Sequence, residues 1–180
     1  MKEDLFFIAI IPPTEIRAEV RMFKEYALES FQTGRALHSP AHITLIPPFK
    51  WPGNEVNRIE EVLSEFAGIF EGFYIELDNF DCFKPRVIFV DIVDNPALIR
   101  FQAELEKRMV QHLGMESGGQ FGFHAHMTVA FKDLRREIFP AAWAHFSQLK
   151  YQRMFKVDAV YLLRHRQKEW KIFKEYLLRN

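Results

Sequence analysis

The chain has 180 residues, of which 48% are hydrophobic, 15% aromatic and 27% charged, and 19 are phenylalanine. That composition excludes disorder and low complexity, and the length lies well above that at which a core needs disulfide or metal staples. Lysine plus arginine and aspartate plus glutamate each total 24, so the formal net charge is zero, which excludes binding of nucleic acid by bulk charge.

Neutrality hides a gradient. Residues 1–131 carry 12 basic and 19 acidic side chains, whereas residues 132–180 carry 12 basic and 5 acidic, which makes the last quarter the place to look for an anion. Two solvated faces of opposite sign account equally well for the same numbers. A single cysteine, Cys82, excludes an internal disulfide and the usual thiolate metal sites and suits a reducing compartment.

The apolar run 5–11, flanked by acids and closed by Pro12-Pro13, reads as a buried strand. It is too short to span a membrane and has the wrong flanks for a cleaved signal, so a cytoplasmic location is expected. Thr14 opens a helix over 14–31 with Ile16, Val20, Phe23 and Ala27 on its apolar stripe, and Gly34 stops it. After a Ser39-Pro40 turn, 41–46 alternates as a strand that Pro47-Pro48 ends. His42 and Thr44 share one face, Ile43 and Leu45 the other. Pro52-Gly53-Asn54 forms a turn with a helix cap, and Val56, Ile59, Val62 or Leu63, Phe66 and Ile69 mark a second helix that ends near Gly72.

Strands over 73–80 and 87–93 follow, joined across 81–86. Asn95 caps and Pro96 begins a third helix, 96–113, whose stripe is Leu98, Phe101, Leu105 and Met109, with Gly114 beyond its end. A Gly118-Gly119 loop leads to a strand over 123–131 that contains His126-Met127-Thr128-Val129. The segment from Asp133 reads as helix interrupted at Pro140, and 154–163 with 170–178 as a strand pair around 164–168.

After the first strand, one order occurs twice: helix, strand with His-x-Thr, helix, strand, strand. The first helices of the copies are offset by 82 residues and the histidines by 84. A duplicated unit of this kind implies an α+β fold of two lobes, about 1–94 and 95–180, related by an approximate two-fold axis. Their antiparallel sheets, with flanking helices and strands open to exchange between lobes, would face each other across a central cleft.

An imidazole and a hydroxyl two residues apart on a strand point to one side with Cα atoms roughly 6.5 Å apart, within reach of adjacent atoms of one phosphate. Two such pairs would surround it. A neutral imidazole takes a proton from water while the opposite imidazolium gives one to the leaving oxygen, and the threonines hold the non-bridging oxygens. No metal is needed. His42-Ile43-Thr44-Leu45 and His126-Met127-Thr128-Val129 resemble the paired motifs of the 2H phosphoesterase superfamily, in particular its 2'-5' RNA ligase-like branch, and the element order agrees over almost the whole chain.

That resemblance implies hydrolysis, or reverse ligation, of a phosphodiester, typically a 2',3'-cyclic phosphate of a nucleotide or RNA end. His42 and His126 would be acid and base, Thr44 and Thr128 the phosphate ligands, without a cofactor and without an obligate protein or membrane partner. Which histidine is the acid stays open. Ligase-like members often carry arginine after the alanine of the second motif, where this chain has Phe131 and then Lys132, a departure that bears on RNA-end specificity and ligation more than on phosphodiester chemistry.

His124 shares the face of His126, and His-x-His is also a metal-ligand spacing, with Asp91 or His42 as a conceivable third ligand. A His-x-His metal hydrolase and a nucleotide- or RNA-binding module without turnover are therefore the competing readings. Lys84, Arg86, Arg164 and Arg166 flank turns and are candidates for anion contacts, and Trp51, Tyr161 and His165 for cleft walls. Phe131 offers either a stacking surface or core packing.

Overall fold

A computed structural model describes residues 3–116 and 122–179; Gly118 and Gly119 lie outside the described residues. The strands are β1 (Glu3–Ile10), β2 (Ile43–Pro52), β3 (Phe73–Phe83), β4 (Val87–Ile92), β5 (His126–Ala130), β6 (Gln152–Val157), β7 (Ala159–Arg166) and β8 (Glu169–Leu177). The helices are α1 (Thr14–Phe31), α2 (Val56–Ala67), α3 (Pro96–Leu113) and α4 (Phe139–Phe146). The fold is α+β. Two four-stranded antiparallel sheets have the orders β2-β1-β7-β8 and β5-β4-β3-β6. Each His-x-Thr strand lies at a sheet edge beside a central, almost wholly apolar partner, β1 or β4. Burial on both faces explains the unbroken apolar runs of those partners.

Strands are exchanged between the halves of the chain. The β7–β8 hairpin completes the sheet of β1 and β2, while β3 and β4 join β5 and β6. The expected single strand over 154–163 is in fact two: Asp158 separates β6, which pairs with β3, from β7, which pairs with β1. Apolar periodicity is the same on either side of Asp158 and carries no record of which sheet each piece joins. The turn of the hairpin is also shorter than expected, since Gln167 and Lys168 alone take positive φ values between paired Arg166 and Glu169.

The expected stop at Pro47-Pro48 is likewise corrected. β2 continues to Pro52 because both prolines sit at a bulge, where Phe7 alone lies between the Phe6–Phe49 and Ile8–Ile46 pairs, on an edge strand that owes no hydrogen bond outward. Beyond β5 the backbone from Lys132 to Ile138 makes bends and turns, and α4 starts only at Phe139, with Pro140 in its first turn where no amide bond is owed. Pairing of β5 likewise covers 126–130 and not the whole of 123–131. The expected local signals hold in α3, where the Asn95 side chain accepts from the amides of Ala97 and Leu98 and Gly114 closes the helix at φ 66°.

One large core runs between the sheets and helices, and a small second cluster of Phe7, Ala9, Ile11 and Leu163 occupies the opposite face of the first sheet. At the open end of β1, the Asp4 carboxylate is only 6% exposed and takes hydrogen bonds from both Arg164 and Arg166. The Arg166 bond, followed by the Arg164 bond and both positive charges, holds its pKa at about 2 against the burial that opposes it. A pKa lowered by folding adds stability above the ordinary carboxylate range, and that stability is lost as pH falls from about 4 towards 2. Asp4→Asn is expected to cost about 2 kcal/mol at pH 7, the lower part of the range for a broken buried ion pair because solvent lies close above the arginines. Urea unfolding checks it, and the gap to the parent should close as the pH falls through that window.

Candidate active site

Strand alternation and register put the motif residues on one side of each sheet. Thr44 lies opposite Ala9 and Ile43 opposite Ile10, so His42 and Thr44 share the face of Phe7 and Ala9 while Ile43 and Leu45 enter the main core. In the second sheet Thr128 lies opposite Phe89 and His126 opposite Asp91, with Met127 and Val129 in the core. The two faces meet in one cavity of about 560 Å³ that His42, Thr44, His126 and Thr128 all line.

Both imidazoles are held in the same way. His42 Nδ1 lies 2.8 Å from the carbonyl oxygen of Pro40, and His126 Nδ1 lies 2.8 Å from that of His124. A carbonyl only accepts, so each Nδ1 carries its hydrogen and each Nε2 is left as the atom that gains or loses a proton. Aromatic rings fix the planes from behind. Phe7 lies 4.8 Å from His42 and is itself backed by Trp170, while Phe83 and Phe89 lie 5.2 and 5.0 Å from His126.

Burial pushes the His42 pKa down to about 4, against the Pro40 hydrogen bond that favours the charged form, and the positive charges of Lys24 and His126 add to the fall. Burial also lowers His126, assisted by His124 and opposed by its carbonyl bond and by Asp91. Lys24 is unforeseen. This lysine of α1 is 3% exposed, its Nζ donates to the Ser39 carbonyl at 3.1 Å, and burial followed by the charge of Arg21 lowers its pKa to about 8. It thus stays largely charged at neutral pH behind the turn that carries Pro40.

A second cavity of about 810 Å³ adjoins the first through Thr44, Pro47, Pro48 and His126, and extends along β2 and α3 past Trp51, Gln102, Met109 and Phe123. His124 lines this one, with Nε2 3.9 Å from Asp91 and its ring 6.2 Å from that of His126. Among the described residues no group of three histidine, cysteine or carboxylate side chains is close enough to hold a metal ion.

The other sequence candidates divide. Phe131 and His165 line the smaller cavity and Trp51 the larger. Arg164 does not reach either, because Asp4 holds it and it stacks between Phe6 and Phe173 on the far side of the sheet. Tyr161 lies in a separate hollow with Pro12 and Arg17 and donates to Glu175 at 2.6 Å. Arg86 is exposed on the β3–β4 turn, outside both cavities, and so is Lys84. Arg166 bonds to Asp4 beside Arg164.

Sequence reading missed Arg35, His38 and Lys168, all of which line the smaller cavity. Arg35 and His38 lie on a short 3-10 turn, Arg35–His38, for which neither periodicity nor capping gave a signal. The basic last quarter does reach this cavity, through Lys132, His165 and Lys168.

Two facing antiparallel sheets, each with a His-x-Thr edge strand, define a protein of the 2H phosphoesterase type. The chain belongs to the 2'-5' RNA ligase superfamily, whose sequence profile matches residues 12–169. Solved structures agree over nearly the full length. TT0787 of Thermus thermophilus superposes with a TM-score of 0.74 at 19% identity, covering 98% of each chain. E. coli LigT complexed with 3'-AMP gives 0.70 at 16% identity, covering 99% of this chain and 100% of LigT. A protein described as a phosphoesterase gives 0.64 at 19% identity over 99% and 100%. None of the curated proteins matches in sequence. No helix among the described residues is long and apolar enough to cross a membrane.

Proposed function

We propose that the protein opens a 2',3'-cyclic phosphate on a nucleotide or RNA end by metal-independent acid–base catalysis with His42 and His126. The observation that carries this reading is the shared anchoring of both Nδ1 atoms on carbonyls two residues upstream, which leaves two Nε2 atoms and two threonine hydroxyls to one cavity. One neutral Nε2 accepts a proton from water as the water oxygen bonds to phosphorus. The opposite Nε2–H donates its proton to the ribose oxygen as the phosphorus bond to that oxygen breaks, giving a phosphomonoester and a free hydroxyl. Thr44 and Thr128 donate to the non-bridging oxygens as charge builds. The same course with the 5' hydroxyl of a second RNA in place of water is 2'-5' ligation, and its reverse is cleavage of a 2'-5' linkage. We read the halves 1–94 and 95–180 as copies of one unit, which gives each copy one such pair. The nucleotides bound by LigT in its solved complexes, 3'-AMP, NADP+ and ATP, support a nucleotide as the ligand class.

The direct test is hydrolysis of adenosine 2',3'-cyclic phosphate in the presence of a chelator. Turnover is expected. Binding without any product supports a module that only binds, and turnover lost in chelator and restored by zinc supports a metal hydrolase on His124 and His126.

The pH profile has a sign that does not depend on which histidine is the acid. Catalysis needs one imidazole neutral and the other protonated, so kcat/KM is bell-shaped between the two free-protein values, one about 4 and the other below 6.5. Its maximum is expected below pH 6.5. Lys24→Met removes a charge that depresses His42, and should move the acidic limb upward while the alkaline limb stays. A maximum near pH 8, or an acidic limb unmoved by Lys24→Met, would contradict the pairing.

A further inference from the structure

The smaller cavity holds more positive charge than one cyclic phosphate requires. Besides the two His-x-Thr pairs it is lined by Arg35, Lys132 and Lys168, and among the described residues no aspartate or glutamate lines it. None of these three has a carboxylate partner among the described residues, where twelve other lysines and arginines have one. Like charges gathered on one rim repel, and their position here is not left to loose loops.

Two cross-links fix the rim. The Asp133 carboxylate accepts from Thr33 Oγ1 at 2.8 Å and from the amides of Gly34 and Arg35 at 2.9 and 3.0 Å, which ties the segment after β5 to the segment after α1. All three bonds go to the hydroxyl and backbone, so the carboxylate sets the position of Arg35 without pairing with its guanidinium. The ring Nδ1 of His38 lies 2.9 Å from the Lys168 carbonyl oxygen and ties the 3-10 turn to the β7–β8 turn. Lys132 takes positive φ, 59°, directly after Phe131 and packs its ammonium 5.4 Å from that ring. Three exposed cations from three distant segments are thus delivered to one edge of the site.

We propose that Arg35, Lys132 and Lys168 form a second anion subsite, which takes a phosphate on the 5' oxygen of the nucleoside whose cyclic phosphate lies between His42 and His126. This rests on the reading of the His-x-Thr pairs as the reacting site. A cyclic phosphodiester carries one negative charge, which one imidazolium balances; a further phosphate is the partner that the rim is missing. The substrate class is then a 5'-phosphorylated nucleoside cyclic phosphate, either free or as the last residue of an oligoribonucleotide. Contacts made by exposed cations are screened, so the preference should weaken with salt.

The experiment separates this subsite from turnover by measuring equilibrium binding. Adenosine 3',5'-bisphosphate and adenosine 3'-monophosphate are titrated into the protein by calorimetry at low salt. The bisphosphate is expected to bind at least about tenfold tighter, and the ratio should fall to about twofold in the double variant Arg35→Gln, Lys168→Gln, from the loss of two phosphate-pairing cations. Lys150→Gln, a cation outside the rim, controls for bulk charge and should keep the full ratio. Equal affinities in the parent, or a ratio that survives the double variant, would overturn the proposal. Kinetics on adenosine 2',3'-cyclic phosphate with a free 5' hydroxyl, with a 5'-phosphate, and as the 3' residue of a dinucleotide then tell a terminal phosphate from a chain diester. A full binding ratio with no turnover of any of the three would uphold the subsite and sink the catalytic reading.

Discussion

His42→Ala and His126→Ala are each expected to lower kcat/KM for adenosine 2',3'-cyclic phosphate by about two to four orders of magnitude. The geometry gives each imidazole one anchored nitrogen and one reacting nitrogen, so truncation removes the proton carrier and leaves nothing at the same point to replace it. Acid and base act in a single displacement. The double variant should therefore fall by about the same factor as either single variant, well short of the product of the two, as groups that work as a unit do. Both side chains are half-buried at a cavity wall, and each gives up a single hydrogen bond to a carbonyl oxygen, so thermal unfolding should shift by no more than a few degrees. Single-turnover and steady-state rates on folded variants make the measurement. Activity within about threefold of the parent in both variants would remove the two histidines from the chemistry, since one lost proton transfer alone costs more.

Sequence carries local features well and through-space features poorly, and the residues here show why. Asn95-Pro96 and Gly114 fix the ends of α3 because caps act within a few residues of backbone. The faces of His42, Thr44, His126 and Thr128 follow from strand alternation alone, which has period two whatever the sheet does. Their convergence on one cavity was legible only through the repeated order of elements. Asp158, by contrast, divides two strands that pair with sheets set by residues 73–83 and 3–10, and nothing near Asp158 in the chain encodes that choice. Arg164 and Arg35 make the same point in opposite directions. Both are arginines beside turns, yet Asp4 captures the first from 160 positions away and Asp133 places the second without neutralising it. Lys24 sits on the stripe side of an amphipathic helix, where a lysine reads as a snorkelling surface residue; its burial depends on the Ser39 carbonyl reaching it from another segment.

Phe101→Ala should be the most damaging single truncation of the core, with an expected cost of about 4 kcal/mol. Phe101 lies on α3, is fully buried, and touches Phe66 of α2, Phe70 and Phe73 at ring-centroid distances of 4.7, 5.1 and 5.2 Å. Four phenylalanines from two helices, the segment before β3 and the first residue of β3 thus meet at one ring. An alanine there leaves a cavity that rigid neighbours close only in part, and it also loses edge-to-face contacts that are worth more than their area alone. For a chain of this length the loss corresponds to a fall of about 10 °C in Tm. The neighbouring Gln102 and Met109 line the larger cavity, whereas Phe101 itself lines neither cavity of the site. Well below the new Tm, kcat/KM should therefore remain within about threefold of the parent, because the distant truncation leaves both anchored imidazoles in place. A cost under about 1 kcal/mol by urea unfolding would mean that the phenylalanine cluster repacks around the gap. Loss of activity in a still-folded variant would mean that α3 transmits its position to the His-x-Thr strands through β2.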